Sequence, residues 1–333
     1  MDAVDEALEA AGGPRSPGIT TLLRPERPRR TDRSELNARV VSSRINLRAR
    51  LVEIWRCREL LVFLVRKELK VKYKNSVLGF VWSMLNPAIV LLVYYVVFRY
   101  FLKNGIPDFA LYLFSGLIVW NLFGSALNGS SASIVANAGI VKKVAFPREI
   151  LALAQVGTSM VFFFFQAGVL VIFLAAFQYS PAWRYLPLAA FAFVDLLVLT
   201  AALALFLSAV NVYLRDVQHL IEVMLQAWFW GVPIIYSYNT VYDLFQSHHL
   251  LILARLYLVD PMTPIVLVFQ RALYGHVHVH LLTPPHLPDT LLATYSYGTL
   301  AWMLAIELGA AILLLLGAML VFGRIEGNFA EEL

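Results

Sequence analysis

Several apolar runs between residues 78 and 323 reach the length, about 20 residues, that an α-helix needs to cross a bilayer. Inside lipid a chain must satisfy its own backbone N–H and C=O groups, so runs of this length become helices. The fold class that follows is all-α: a polytopic membrane protein. Hydrophobic residues make up 59% of the chain and charged ones only 15%, against roughly 25% charged in a soluble domain. That little charge cannot cover a water-soluble globule of 333 residues. The single cysteine, Cys57, excludes an internal disulfide framework.

Hydropathy predicts six spans, over residues 78–101, 109–127, 150–177, 186–212, 217–236 and 299–322. Seventeen of the 27 Lys and Arg residues precede residue 78, against ten Asp and Glu there. Cations flanking a span stay on the cytoplasmic side. The N-terminus is therefore expected inside, and six spans return the C-terminus to the same side. Lys142, Lys143 and Arg148 between the second and third spans agree, as does Arg215 between the fourth and fifth. The net charge of +5 is thus a topology signal and not a nucleic-acid signal. Between spans five and six, the apolar residues 250–258 and 265–269 suggest re-entrant or interfacial helices.

Four regions result. Residues 1–50, rich in Pro, Arg and Ala and lacking an apolar signal-peptide core, read as a disordered cytoplasmic tail or a tether to a partner or anionic lipid. Residues 51–77 read as an amphipathic interfacial helix: Ile54, Leu61, Leu64, Val65 and Leu69 share one face, and Arg56, Glu59, Arg66, Lys67, Lys70 and Lys74 cluster opposite, with Arg58 and Glu68 as exceptions. Residues 78–323 form the transmembrane domain, and 324–333 a cytoplasmic C-terminus.

The chain carries no Gly-x-x-x-x-Gly-Lys-Ser/Thr loop, no His-Glu-x-x-His helix and no Gly-x-Ser-x-Gly elbow. His276, His278 and His280 alternate, but no Cys, Asp or Glu cluster accompanies them, so no metal site is expected. Asp195 and Glu307 fall inside spans, where ionisable groups are costly. They read either as conduit-lining groups or as hydrogen-bonding groups between helices. Two small-residue stripes, Ala301-Ala305-Gly309 and Ser125-Gly129-Ser133, suggest close-packing helix faces. Tyr94, Phe98 and Phe101 recur at helical spacing, and Trp228 and Tyr236 lie in the fifth span. Such rings either face lipid and core or stack on the apolar faces of sugars along a conduit.

Three segments together resemble a known family. The first is Val65-Arg66-Lys67-Glu68-Leu69-Lys70-Val71-Lys72-Tyr73-Lys74-Asn75-Ser76-Val77-Leu78-Gly79, followed by Val81-Trp82-Ser83-Met84-Leu85-Asn86-Pro87. The second is Ala138-Gly139-Ile140-Val141-Lys142-Lys143-Val144-Ala145-Phe146-Pro147-Arg148-Glu149-Ile150. The third is Asn211-Val212-Tyr213-Leu214-Arg215-Asp216-Val217, with Asp260-Pro261-Met262-Thr263-Pro264-Ile265 further on. Their order resembles the membrane subunit of ABC-2 type polysaccharide exporters, the permeases for O-antigen and teichoic acid, over roughly residues 51–333.

The resemblance implies a permease homodimer in the bacterial plasma membrane, joined by two copies of a separate P-loop ATPase that binds ATP and magnesium. Its cargo would be a polyprenyl-pyrophosphate-linked glycan, and this chain would itself be no enzyme and hold no cofactor. Carried onto this sequence, Lys142, Lys143, Phe146, Pro147, Arg148 and Glu149 would form the segment that couples to the ATPase, with an exposed Phe-Pro corner. Arg66, Lys67, Lys70 and Lys74 would attract the pyrophosphate at the conduit entrance. Two features depart from the family pattern: Asp260-Pro261 stands where Asn-Pro is usual, and the N-terminal extension is not general. That extension and the Ala- and Arg-rich usage point to an actinobacterial member, where the similar permease exports a cell-wall galactan. An ABC-2 exporter of small molecules or lipids, and an integral-membrane acyl- or glycosyltransferase, stand as alternatives.

Overall fold

The computed structural model describes residues 47–72, 81–101, 106, 108–176, 178–248, 252, 257, 259–275, 292–293 and 295–333, and among these every regular element is helical. Residues 1–46, Lys74 and the three alternating histidines lie outside the described residues. In chain order the helices are α1 (Leu47–Arg56), α2 (Arg58–Lys72), α3 (Val81–Val96), α4 (Phe109–Ala136), α5 (Ala138–Val141) and α6 (Glu149–Ala176). They continue with α7 (Leu186–Tyr213), α8 (Val217–Gly231), α9 (Tyr238–Ser247), α10 (Met262–Leu273), α11 (Tyr297–Ile325) and α12 (Phe329–Glu332).

Among the described residues, four helical stretches are long and apolar enough to cross a membrane: Phe109–Ala136, Glu149–Ala176, Trp183–Tyr213 and Tyr297–Asn328. They match the expected second, third, fourth and sixth spans. The other two expected spans are shorter as helices. α3 has 16 residues and runs on into a π turn, Val97–Phe101. α8 has 15 residues, about 22 Å at the α-helical rise, less than the roughly 30 Å of a hydrocarbon core. Its end is written in the sequence. Pro233 has no N–H to donate and pushes Val232 into extended backbone, with ψ of 140°. The Tyr236 hydroxyl then donates to the Trp230 carbonyl at 2.7 Å and folds the chain back on the helix.

α4 occupies the centre of the bundle. Tyr112 is its one ionisable side chain, its polar residues are small or amide side chains, and 83% of its spanning window is buried inside the chain. A helix that is hydrophobic all round belongs in an interior. It packs on α6, α7, α8 and α10, while α7 packs most extensively on α11.

Between helices in lipid, close contact and hydrogen bonds replace the hydrophobic drive. The Ser125 and Ser159 hydroxyls lie 3.0 Å apart, Ser130 Oγ donates to the Ala152 carbonyl at 3.0 Å, and Gly129 lies against Gln155. The stripe Ser125-Gly129-Ser133 therefore packs α4 on α6, as expected. The stripe on α11 does not behave that way within its own chain. Ala305 and Gly309 are exposed, and a Cβ on Gly309 would meet nothing within 4 Å. The inward face of α11 is instead Leu300, Leu304, Glu307, Ala311 and Ala318, on the helix that packs most on α7.

The amphipathic segment starts at Leu47 and runs to Lys72 as two helices joined by a turn at Cys57. Its apolar face packs on α6: Leu64 is buried, and Ile54, Leu61 and Val65 lie against the same apolar cluster. The approach is close because Gly157 lacks a side chain; a Cβ there would sit 2.9 Å from Val65 Cγ2. This apolar cluster gathers at the end of the bundle where α4, α7 and α11 finish and α6 begins.

Candidate functional site

At that end, α4 stops where Asn137 turns its amide onto the Ser133 carbonyl at 2.8 Å, in competition with the helix backbone. The single turn α5 follows, and Pro147 then sets up the start of α6, whose Ile150 N–H donates to the Pro147 carbonyl. Glu149 in the first turn favours the positive end of the α6 dipole. The connection presents a small exposed tip: Ile140 is 41% and Val144 55% exposed, with Lys142, Lys143 and Ala145 beside them.

The expected coupling residues therefore divide into two groups. Lys142 and Lys143 are exposed, but the expected exposed Phe-Pro corner is turned inward. Phe146 packs on the apolar cluster, Pro147 and Arg148 are half-buried, and Glu149 is 1% exposed. Val144 and Ile140 supply the apolar surface that Phe146 was expected to offer. Glu149 accepts a hydrogen bond from Arg50 of α1 at 2.7 Å, and Arg50 also pairs with Glu326. Arg148 donates to the Glu326 backbone carbonyl. Partial burial holds the Arg148 guanidinium below its usual pKa, with neighbouring Glu149 opposing the shift.

The expected entrance cations divide as well. Arg66 and Lys70 are exposed on α2. Lys67 instead donates to Asn137 Oδ1 at 3.2 Å and lies 3.4 Å from Glu68, so it ties α2 to the end of α4. Lys72 places its ammonium 4.3 Å from the centre of the Phe162 ring on α6.

The expected conduit residues do not form one group either. Phe101 is 76% exposed, and the Phe98 side chain lies outside the described residues. Tyr94 sits 6.0 Å from Phe229, in an aromatic cluster completed by Trp120, Phe123 and Trp228. Trp228 is half-buried and donates its indole N–H to Asp260 at 2.6 Å. Asp195 on α7 and Glu307 on α11 are buried where these two helices pack, within electrostatic reach of each other. Neither carboxyl has a hydrogen-bond partner among the described residues. Of their two readings, hydrogen bonding between helices is not realised within the described chain. Among the described residues no group of three or more His, Cys, Asp or Glu is placed to hold a metal ion.

Residues 59–266 match the family described as ABC-2 type transporter. The chain belongs to that family. The matched range runs from α2 through α9, including the exposed tip, to the start of α10. Over 226 residues, 67% of this chain and 84% of the relative, it is 33% identical to the O-antigen export system permease protein RfbA of Myxococcus xanthus. A protein of the same name from Klebsiella pneumoniae is 32% identical over 190 residues, 56% of this chain and 72% of the relative. The polysialic acid transport protein KpsM of Escherichia coli is 24% identical over 179 residues, 53% of this chain and 69% of the relative. As an ABC-2 type transporter, this chain is a membrane-embedded transport component and not an enzyme.

Three features of this ABC-2 protein escaped the sequence reading. Asp260, the departure from Asn-Pro, accepts from the Trp228 indole and from the Thr263 hydroxyl at 2.7 Å, so it joins α8 to the start of α10. An Asp two residues before a helix is an ordinary capping signal. Its pairing with Trp228 had no local signal. Arg50 lay in the segment assigned to the tail, and Phe329 in a short acidic stretch. Only the lone aromatic among acidic residues hinted that this stretch is held in place.

Proposed function

We propose that this protein is the permease of a polysaccharide exporter. It forms a homodimer that moves a polyprenyl-pyrophosphate-linked glycan outward across the bacterial plasma membrane, driven by two copies of a separate P-loop ATPase. The observation that carries this reading is the 33% identity to an O-antigen export permease over two thirds of the chain. The absence of a nucleotide-binding loop from the sequence supports a separate ATPase. In this reading the spans number six, with α3 and α8 counted; both termini are cytoplasmic, and α9 and α10 do not cross the membrane. The N-terminal extension and the Ala- and Arg-rich usage support an actinobacterial member, whose cargo in this reading is a cell-wall galactan.

The exposed tip supplies the ATPase contact. Lys142 and Lys143 offer charge, and Ile140 and Val144 offer an apolar anchor for a cleft on the partner. Phe146, Pro147, Arg148 and Glu149 act behind the contact by holding the tip on the bundle. Arg66 and Lys70 receive the pyrophosphate, with Lys74 in the same role, while Lys67 fixes the position of α2. Phe101 and Tyr236 are the rings assigned to the sugar chain, with Phe98 in the same role, while Tyr94 and Trp228 support the aromatic cluster on α8.

Affinity purification from native membranes tests this reading. The expected result is a stoichiometric P-loop ATPase whose hydrolysis rises when the lipid-linked glycan fraction of the same cells is added. An ATPase stimulated by small amphiphiles and indifferent to that fraction would refute the cargo class. Retention of no ATPase after gentle extraction would refute the transporter mechanism.

A further inference from the structure

The segment that follows α11 is polar and acidic, Glu326-Gly327-Asn328-Phe329-Ala330-Glu331-Glu332-Leu333, and a stretch of this kind is ordinarily solvated. Here it is fastened. Phe329 is 0% exposed. Its ring stands edge-on to Phe322 of α11 at 5.4 Å and to Tyr213 of α7 at 6.2 Å. The Tyr213 hydroxyl donates to the Ile325 carbonyl at 3.0 Å, which closes the ends of α7 and α11 over the segment.

The same segment grips the connection that carries the exposed tip. Arg148 donates to the Glu326 carbonyl and lies 5.7 Å above the Phe329 ring. Arg50 of α1 bridges the Glu149 and Glu326 carboxylates. Arg148 and Glu149, the two residues that lead from the tip into α6, thus touch α1 and the segment directly, and the segment in turn touches the ends of α7 and α11 through Phe329. A force applied at Lys142 or Val144 reaches α7 and α11 through side chains already in contact.

We propose that residues 326–333 are a transmission element, which ties motion of the exposed tip to the ends of α7 and α11, with Arg50, Glu326 and Phe329 as its positioning residues. The proposal rests on the reading of the tip as the ATPase contact. It adds a route from that contact to two spanning helices that the tip does not itself enter. Energetic coupling of this kind needs contiguous contacts with more than one arrangement. A cluster of ion pairs over one inserted ring can shift while the helices remain folded.

Two measurements test the element. The first uses the full permease alone in nanodiscs and reads hydrogen exchange by mass spectrometry. Phe329→Ala releases the segment, and the expected result is faster exchange over residues 137–149 as well as over 326–333, with residues 109–125 unchanged. Loosening confined to 326–333 overturns the proposal, whatever the ATPase does. The second uses the complex with its co-purified ATPase and the lipid-linked glycan fraction of native membranes. Phe329→Ala and Glu326→Gln are expected to keep ATPase stoichiometry and unstimulated hydrolysis, while glycan stimulation falls about fivefold, the low end for coupling between sites. Phe329→Leu and Arg50→Lys should restore most of it, and Glu331→Gln with Glu332→Gln, both at exposed positions, should change nothing. Wild-type stimulation in both Phe329→Ala and Glu326→Gln overturns the proposal. Should Phe329→Ala fail to assemble, Glu326→Gln, at a partly exposed position, decides in its place. Absence of an ATPase from the wild-type preparation is a separate failure, of the functional reading, and leaves the exchange measurement decisive.

Discussion

Removing the Asp260 carboxylate should destabilise the junction of α8 and α10 far more than replacing it by the amide usual in the family. Asp260 accepts the Trp228 indole N–H at 2.6 Å and the Thr263 hydroxyl at 2.7 Å. Asp260→Ala leaves these donors without an acceptor. A hydrogen bond to a charged group contributes about 1.5–3 kcal/mol, and loss of a helix cap costs ~1 kcal/mol. Because Trp228 is only half-buried, its freed N–H recovers part of this from its surroundings. The expected total is about 3 kcal/mol, or roughly 6–12 °C in melting temperature at the per-kcal shift of large domains. Asp260→Asn keeps one oxygen for the indole, and the Thr263 hydroxyl can turn to accept from the new amide, so its cost stays below about 1 kcal/mol. The assay is thermal unfolding of purified permease in nanodiscs, for wild type, both single variants, Trp228→Phe, and Trp228→Phe combined with Asp260→Ala. Coupling between Trp228 and Asp260 of about 1–2 kcal/mol is expected from that cycle. Additive effects, or an Asp260→Asn variant as unstable as Asp260→Ala, would refute the reasoning.

Other expectations follow from the same contacts. Gly157→Ala drives a Cβ into Val65 Cγ2 and should cost about 1–3 kcal/mol by overpacking; Val65→Ala in the same chain should return most of it in the same melt, and no return would refute the close α2–α6 approach. Lys142→Glu with Lys143→Glu should abolish ATPase co-purification and leave the melting temperature unchanged, since both side chains are exposed and such substitutions stay within about 0.5 kcal/mol. Arg66→Gln with Lys70→Gln should raise the glycan concentration needed for half-maximal ATPase stimulation without changing its maximum. Lys67→Gln should do the reverse, because it loses the Asn137 contact that holds α2 to the end of α4; identical kinetic effects of the two would show that the three cations act alike.

The all-helical class and four of the expected spans were legible because hydropathy is a local property. A run of 20 apolar residues crosses lipid as a helix whatever lies beside it. The apolar face of α2 was legible for a similar reason, since the periodicity that marks it is the periodicity that packs it against α6. The end of α8 was partly legible: Pro233 is a visible stop, yet average hydropathy over residues 217–236 ran across it and read a single span. The connection between α4 and α6 was legible as a charged break between apolar runs, but its surface was not. The family resemblance implied an exposed Phe-Pro corner, whereas the fold packs Phe146 on the apolar cluster and leaves Val144 and Ile140 outside.

The sequence by itself determined that this chain is a bundle of membrane helices, where the apolar helix runs lie, and which side of the bundle carries the cations. Those properties depend on each residue's own transfer free energy and on near neighbours along the helix. Tertiary structure alone decided which polar groups meet. Arg50 finds Glu149 and Glu326, Trp228 finds Asp260, and Phe329 finds a pocket between α7 and α11. Most of these partners stand dozens to hundreds of positions apart, and no periodicity links them. Charge pairing and ring packing act over a few ångströms in space, so they become visible only when the helices are set side by side.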